Sequence, residues 1–173
     1  EILRARNADK PLRPASLVKM MTLYMTFDAI KAGKMTMETP LPVSAFAAGQ
    51  SPTKLGLRAG QTIRVRDAVL GLITKSANDA AVVLAEAIGG SESNFAAQMT
   101  SKAKRLGMSR TTFRNASGLP NNGQFSTVKD MAQLSRALMV HHPEFYHLFS
   151  TRSFTYRGVA RRNHNRLMSE YAG

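Results

Sequence analysis

The sequence predicts an α+β domain in which helices dominate and strands lie near both ends. Apolar residues recur at helical spacing from Ser16 to Gly33. Residues 80–88 are apolar on nearly every face, so this segment is expected to be the buried central helix. Residues 62–65 and 153–156 instead predict short strands. The chain of 173 residues is long enough for one domain with its own core and too short for two ordinary ones.

Each remaining element has a local signal of its own. Gly and Pro punctuate residues 39–66, which therefore predict loops and short strands. A serine cap predicts a helix after Ser91 or Ser93, and Thr127 with Asp130 forms a capping box for another helix. The helix after Ser91 or Ser93 should end at Leu106, and the helix after Thr127 should end at Val140. The other expected elements are a short strand at 1–6, a helix from Asp67 to Ile73, an extended segment at 111–114, a short helix over 143–149, and loops over 115–123 and from Arg161 to Gly173.

The composition excludes several classes of function. The chain has no Cys, which rules out disulfide scaffolds, zinc–thiolate sites and cysteine nucleophiles. No apolar run approaches the roughly 18–20 residues that a membrane-spanning helix needs. His141, His142 and His147 are interpreted as ordinary surface or half-buried histidines, because Pro143 breaks the helical spacing that a pair of metal ligands would need.

The charge balance is strongly basic. Lys and Arg number 24 against 11 Asp and Glu, which gives a net charge of +13. Such an excess favours polyanionic partners, among them nucleic acid, anionic lipid and anionic wall polymer, although a merely soluble basic surface explains it as well. The basic residues scatter through predicted loops and strands instead of clustering on one recognition helix, which disfavours a nucleic-acid-binding domain.

With Cys absent, the candidate nucleophiles are Ser, Thr and Lys. A Ser at position i and a Lys at i+3 of a helix share one face, so the amine can lie beside the hydroxyl. A Ser at the N-terminus of the helix also benefits from the helix dipole, which favours negative charge on its oxygen. The Lys must be neutral to act as a base, so its pKa has to fall by desolvation or beside another cation.

The Ser-x-x-Lys pattern occurs four times, as Ser16/Lys19, Ser51/Lys54, Ser101/Lys104 and Ser126/Lys129. The second pair lies in a Pro-containing loop, the third lies late in a charged helix, and the fourth opens an amphipathic helix whose capping is already explained. Only the first pair begins an apolar helix, where a Lys is costly to bury unless it has a function. A side chain that reaches back to the surface remains the alternative explanation for this Lys.

A second element, Ser76-Ala77-Asn78, is the only Ser-x-Asn in the chain. A hydroxyl and a carboxamide between two apolar helices can relay a proton and orient a substrate amide. An ordinary helix cap explains the same residues, because Ser and Asn begin helices routinely. Taken alone, the pattern favours the cap.

Taken together, these motifs resemble those of the active-site-serine penicillin-recognising enzymes. The segment Pro14-Ala15-Ser16-Leu17-Val18-Lys19-Met20 comes first, and Ser76-Ala77-Asn78-Asp79-Ala80-Ala81 then opens an apolar helix. The finer resemblance is to the low-molecular-mass penicillin-binding proteins, the serine-type D-alanyl-D-alanine carboxypeptidases. Residues 113–120 resemble a loop of that family, and residues 70–75 and 163–167 are similar to it as well. The resemblance covers essentially all 173 residues.

The resemblance implies a β-lactamase/transpeptidase-like α+β fold, represented mainly by its helical region with an incomplete antiparallel sheet. The third motif of the family, Lys-Thr/Ser-Gly on an edge strand, is absent from the 173 residues, and the N-terminal end looks short. Residues 1–173 are therefore expected to form a partial penicillin-binding peptidase domain that lacks an N-terminal strand and the C-terminal strands of the sheet.

The resemblance also implies a role for each of four residues. Ser16 attacks the carbonyl of the penultimate D-Ala and forms an acyl-enzyme, while Lys19 takes its proton. Ser76 passes a proton to the leaving D-Ala nitrogen, and Asn78 holds Lys19 and the substrate amide. The backbone N–H of Ser16 is one oxyanion donor, and neither a metal nor an organic cofactor is needed.

The implied activity is removal of the terminal D-Ala from peptidoglycan stem pentapeptides, with β-lactams as covalent inhibitors of Ser16. The implied location is periplasmic or otherwise extracytoplasmic in a bacterium, with peripheral attachment to the inner membrane through a segment outside this chain as one option. Two alternatives stay open: a DD-endopeptidase of cross-links and a non-catalytic relative that binds the cell wall. No nucleic-acid partner is expected. A class A β-lactamase is disfavoured because the chain has no Glu-x-x-Leu-Asn loop.

Overall fold

The computed structural model describes residues 5–165, and helices form about half of this part of the chain. The α-helices are α1 (Val18–Lys31), α2 (Ala45–Ala48), α3 (Val65–Lys75), α4 (Asn78–Gly89), α5 (Glu92–Arg105), α6 (Val128–His141) and α7 (Pro143–Tyr146). A short 3-10 helix at Ala15–Leu17 leads directly into α1, and a second one at His147–Ser150 follows α7. The expected dominance of helices is confirmed.

The strands within residues 5–165 form two small antiparallel sheets. Strand β1 (Pro40–Pro42) pairs with β2 (Thr62–Arg64), and strand β3 (Ser153–Tyr156) forms a hairpin with β4 (Val159–Arg162). The strands expected near 62–65 and 153–156 are thus present. The extended segment expected at 111–114 does not form a full strand, since it contributes a single β-bridge, between Thr112 and Phe125.

Helix α4 is the buried centre of the fold, as its composition predicts. It packs against α1, α2, α3 and α5. Every residue from Ala80 to Ala85 is at most 1% exposed. Burial of Val82, Val83 and Leu84 contributes about 1.5–3 kcal/mol each. Because α4 begins at Asn78, this core also holds the Asn78 side chain in a defined place.

Two helices begin two residues earlier than expected. Helix α3 starts at Val65 instead of Asp67, directly at the end of β2. Helix α4 starts at Asn78 instead of Ala80 because the carbonyl oxygen of Thr53 accepts a hydrogen bond from the Asn78 N–H at 2.7 Å. A partner so distant in the chain leaves no local signal in the sequence.

The predicted caps are present. Ser91 is the cap of α5, and its hydroxyl accepts a hydrogen bond from the backbone N–H of Asn94. Thr127 is the cap of α6, and its hydroxyl accepts one from the backbone N–H of Asp130. Each bond satisfies one of the N–H groups that the first turn of a helix leaves without an intrahelical partner.

The hairpin corrects one expectation. The loop predicted from Arg161 onward is wrong for Arg161 and Arg162, which pair with Phe154 and Ser153. The sequence of β4 has little alternation of apolar and polar residues. Its pairing with β3, and not its local pattern, therefore makes it a strand. Residues 166–173 of that loop lie outside the described residues, as does most of the strand expected at 1–6, although residues 5 and 6 are not in a strand.

No helix within residues 5–165 is long and apolar enough to cross a membrane.

The contact between α4 and α5 leads to a test of the core. A Cβ atom at Gly89 would lie 2.7 Å from the Cβ of Phe95 and 2.8 Å from its backbone nitrogen. Gly89→Ala is therefore expected to lower the free energy of unfolding by about 1–3 kcal/mol, measured by urea denaturation. Ala87→Leu adds more volume to the same helix at an exposed position and should cost far less. Equal losses in the two variants would contradict this close packing.

Candidate active site

Lys19 lies in the first turn of α1 and is almost fully buried, with 4% of its surface exposed. Its Nζ donates a hydrogen bond to Asn78 Oδ1 at 2.7 Å and another to the backbone oxygen of Ser117 at 2.5 Å. These bonds join three parts of the fold: the start of α1, the start of α4 and the loop at residues 115–119. The sequence alternative of a Lys that reaches back to solvent is wrong.

The burial of Lys19 changes its proton affinity. Both hydrogen-bond partners are neutral oxygens, so no carboxylate bonded to the amine offsets the loss of water. Burial lowers the pKa of Lys19 from 10.5 to about 8. An amine with such a pKa has a substantial neutral fraction near physiological pH and can accept a proton.

Ser16 lies in the 3-10 helix that precedes α1, three residues before Lys19, and it is exposed to solvent. The spacing places its side chain on the same face as Lys19, one turn earlier. Its exposure leaves the hydroxyl accessible to a substrate from solution, while the Lys19 amine is enclosed.

Ser76 and Asn78 occupy the junction between α3 and α4. Ser76 ends α3 in the left-handed region, with φ of +56°. Its Oγ is buried and has no hydrogen-bond partner within residues 5–165. Both ends of the Asn78 carboxamide are hydrogen-bonded, because Oδ1 accepts from Lys19 and one N–H of Nδ2 donates to the backbone oxygen of Ser51 at 2.9 Å. The helix cap that the Ser-x-Asn pattern alone favoured is wrong for the Ser76 hydroxyl, because it bonds to no N–H group of α4.

The structure thus brings Lys19 and Asn78 into direct contact, whereas the Ser16 and Ser76 side chains form no hydrogen bond with either of them. It adds groups that the motifs did not reveal. The hydroxyl of Thr22, one turn beyond Lys19, donates to the backbone oxygen of Ala116 at 2.8 Å. Neighbouring carbonyls of one loop are therefore held by neighbouring turns of α1. A Thr in an apolar stripe gives no sequence signal for such a bond.

Glu92 holds the same loop from α5. Its Oε1 accepts a hydrogen bond from the backbone N–H of Ala116 at 2.9 Å. Burial raises the pKa of Glu92, while the bond from Ala116 opposes the shift and the nearby charge of Glu86 adds to it. The loop at 115–119 is thus attached to α1 and α5 without belonging to a sheet.

Asp79 is a further residue that the sequence interpretation missed as part of the site. It is fully buried, and its carboxylate accepts hydrogen bonds from the backbone N–H groups of Leu55, Gly56 and Leu57 at 2.9–3.0 Å. The sequence interpretation named it only as a neighbour of Asn78 in the second motif. In the structure it holds the loop at residues 51–57, whose Ser51 carbonyl orients the Asn78 side chain.

The assembled groups are an exposed hydroxyl, a buried amine with a lowered pKa, a buried unpaired hydroxyl and a carboxamide. This set suits acyl transfer, in which a base removes a proton from a nucleophile and a second hydroxyl relays it. Within residues 5–165, no three His, Asp or Glu side chains lie close enough together to hold a metal ion.

Known proteins share this fold. The D-alanyl-D-alanine carboxypeptidase DacD from Francisella tularensis superposes with a TM-score of 0.94 at 29% identity, over 100% of this chain and 55% of that chain. Penicillin-binding protein D2 from Listeria monocytogenes, solved in its ampicillin-bound form, gives a TM-score of 0.80 at 35% identity, over 98% and 69% of the two chains. The fold is that of the penicillin-binding proteins, which confirms the β-lactamase/transpeptidase-like α+β class.

Sequence comparison is more specific. The family model described as D-alanyl-D-alanine carboxypeptidase, peptidase family S11, matches residues 1–172. The chain belongs to this family. It is 38% identical to the D-alanyl-D-alanine carboxypeptidase DacC of Escherichia coli, over 97% of this chain and 44% of that protein. A D-alanyl-D-alanine endopeptidase of Pseudomonas aeruginosa is 30% identical over 78% of this chain and 42% of that protein. The chain thus spans about half the length of the curated relatives it matches.

Removal of the Asp79 charge tests its structural role. Asp79→Asn places an amide N–H₂ against backbone N–H donors, so we expect a loss of about 2–4 kcal/mol in the free energy of unfolding. Asp67→Asn, in the first turn of α3, is the matched control and should cost less than about 1 kcal/mol. Urea denaturation measures the free energy of unfolding of both variants, and equal losses would show that Asp79 does not hold the loop.

Proposed function

We propose that this chain carries the catalytic centre of a serine DD-carboxypeptidase, which removes the terminal D-Ala from peptidoglycan stem pentapeptides. One observation carries the proposal: a buried lysine with a pKa lowered to about 8 lies one turn from an exposed serine. Among the relatives, the carboxypeptidase DacC matches more of the chain and at higher identity than the endopeptidase does. Cleavage of cross-links is therefore the second candidate.

In the proposed first step, neutral Lys19 takes the proton of Ser16 as Ser16 Oγ attacks the carbonyl carbon of the penultimate D-Ala. The negative charge that develops on the carbonyl oxygen is stabilised by the backbone N–H of Ser16, beside the positive end of α1. The bond to the terminal D-Ala nitrogen then breaks and leaves an acyl group on Ser16. Water hydrolyses this ester and releases the shortened peptide.

Ser76 and Asn78 complete the proposed proton path. The leaving nitrogen must receive a proton, and the Ser76 hydroxyl is a buried donor with no other hydrogen-bond partner in the described part of the chain. It passes its proton to that nitrogen as the C–N bond breaks and takes in return the proton that Lys19 removed from Ser16, which leaves Lys19 neutral again. Asn78 keeps the Lys19 amine directed toward the site through its 2.7 Å hydrogen bond, and its carboxamide orients the substrate amide.

The proposed ligands follow from this chemistry. A β-lactam presents a strained amide that Ser16 attacks as it does the D-Ala-D-Ala amide, and the ampicillin-bound form of the Listeria protein is one structural relative. We also propose that the protein acts on wall material outside the cytoplasm of a bacterium, with peripheral membrane association through other parts of the protein. Residues 1–173 are proposed to be one part of a larger penicillin-binding peptidase domain, because the relatives extend well beyond them.

The first test is the intact mass of the purified protein with and without benzylpenicillin. We expect a gain of one penicillin per chain, because Ser16 opens the β-lactam ring and the nitrogen that leaves the carbonyl stays covalently attached to the acyl group. Ser16→Ala should abolish the gain. Ser101→Ala alters another Ser-x-x-Lys pair, on the exposed face of α5, and should retain it. An unchanged mass in the parent protein would favour the non-catalytic wall-binding relative.

The pH dependence of acylation tests the role of Lys19. Only the neutral amine accepts a proton, so the acylation rate should rise with pH and level off above the pKa of about 8. Below that pH the rate should fall about tenfold for each pH unit. Stopped-flow measurements with a fluorescent penicillin report the rate. Lys19→Arg, which stays charged, should remove both the rate and its pH dependence, and a flat profile in the parent protein would contradict the assignment.

A further inference from the structure

A glycine outside the proposed catalytic set touches the peptide bond that precedes the nucleophile. A Cβ atom at Gly118 would lie 1.9 Å from the carbonyl oxygen of Ala15 and 3.0 Å from the backbone nitrogen of Ser16. The first distance is far below a van der Waals contact and the second is a tight one, and the nearest atom belongs to the backbone and cannot rotate away. The φ of Gly118 is +88°, so its backbone conformation also favours glycine.

The peptide that Gly118 touches is itself in an unusual conformation. Ala15 has φ of +47°, in the left-handed region that residues with a Cβ rarely adopt. Such a residue keeps its conformation only when its surroundings hold it there. The left-handed residue comes directly before Ser16, so its conformation sets where the N–H and side chain of Ser16 point.

The loop that carries Gly118 is well placed to hold this peptide. The Asn115 side chain spans it, because Oδ1 accepts from the Gly118 N–H at 2.8 Å and Nδ2 donates to the Leu119 oxygen at 2.9 Å. Gln124 is buried, and its Oε1 accepts from the backbone N–H of Asn115 at 3.3 Å. With the bonds from Lys19 and Thr22 described above, the loop is attached to the same helix whose start it touches.

We propose that Gly118 and Asn115 are positioning residues that hold the Ala15–Ser16 peptide, so that the Ser16 hydroxyl and N–H stay directed at the substrate carbonyl. The inference rests on the proposed function for its catalytic consequence, while the contact itself is independent of it. Both residues act through Ser16 and are not required to touch the substrate.

The decisive comparison uses two glycines with similar backbone angles. Gly33 has φ of +70° at the far end of α1, and no atom lies within 4 Å of a Cβ built there. Gly118→Ala and Gly33→Ala therefore share the cost of a left-handed alanine, and only the first adds a collision with the Ala15–Ser16 peptide. We expect the acylation rate with a fluorescent penicillin to fall at least a hundredfold in Gly118→Ala and less than threefold in Gly33→Ala. Equal rates in the two variants would overturn the proposal.

A second pair keeps the proposal testable if Gly118→Ala does not fold. Asn115→Ala removes both bonds across the loop, whereas Asn115→Asp keeps the oxygen that accepts from Gly118. We expect kcat for D-Ala release to fall about thirtyfold or more in the first, with a small change in KM, and the second to recover most of the loss. If the two variants have the same melting temperature and the same kcat, Asn115 has no positioning role.

Amide hydrogen exchange separates this proposal from the proposed function. Exchange at Leu17 and Val18, whose N–H groups bond to Pro14 and Ala15, should be faster in Asn115→Ala and Gly118→Ala than in the parent protein. Exchange at the Asn78 N–H should not change. If the parent protein forms no penicillin adduct, the proposed function fails and exchange alone decides the positioning role. Unchanged exchange at Leu17 and Val18 overturns the positioning role whether or not the protein is acylated.

Discussion

The structure depends on the burial of a single amine among neutral oxygens. The stem of Lys19 occupies the core between α1 and α4, and its Nζ reaches only carbonyl groups, one from Asn78 and one from Ser117. A carboxylate in either place would stabilise the charged form and raise the proton affinity of the amine. The arrangement therefore costs stability at neutral pH, where a protonated Lys19 is poorly solvated, and in return maintains a base beside an exposed hydroxyl. The starts of α1 and α4 and the loop at residues 115–119 surround the amine and leave only 4% of Lys19 exposed.

Periodic features were predictable from the sequence, whereas features held by distant partners were not. The apolar run of α4 indicated a buried helix because its pattern is local and strong. The caps at Ser91 and Thr127 were predictable for the same reason. The early start of α4 was not, because it depends on Thr53, and the pairing of Arg161 depends on a facing strand. In each case the missing information was a partner across the fold.

The candidate site shows the same division. Ser16, Lys19, Ser76 and Asn78 were found by spacing and by family resemblance, and the structure brings Lys19 and Asn78 into contact. The supporting groups could not be predicted from the sequence, because they act through main-chain atoms or hold main-chain atoms in place. Ser117 contributes its carbonyl, and Gly118 contributes the absence of a side chain. No pattern of side-chain types identifies a carbonyl as a hydrogen-bond acceptor for a distant lysine.

The way Asp79 holds its loop has a consequence for how the protein can vary. The carboxylate accepts hydrogen bonds from the backbone N–H groups of Leu55, Gly56 and Leu57, and every residue except proline has such a group. Asn78 likewise reaches the loop through the carbonyl of Ser51, another atom common to all residues. The exposed side chains of Ser51 and Pro52 make none of these contacts, whereas Thr53 bonds through its hydroxyl to the Ser76 oxygen and Gly56 has φ of +85°. Substitutions at Ser51 and Pro52 can therefore change the outer surface of the loop while the positions of Asn78 and Asp79 stay the same.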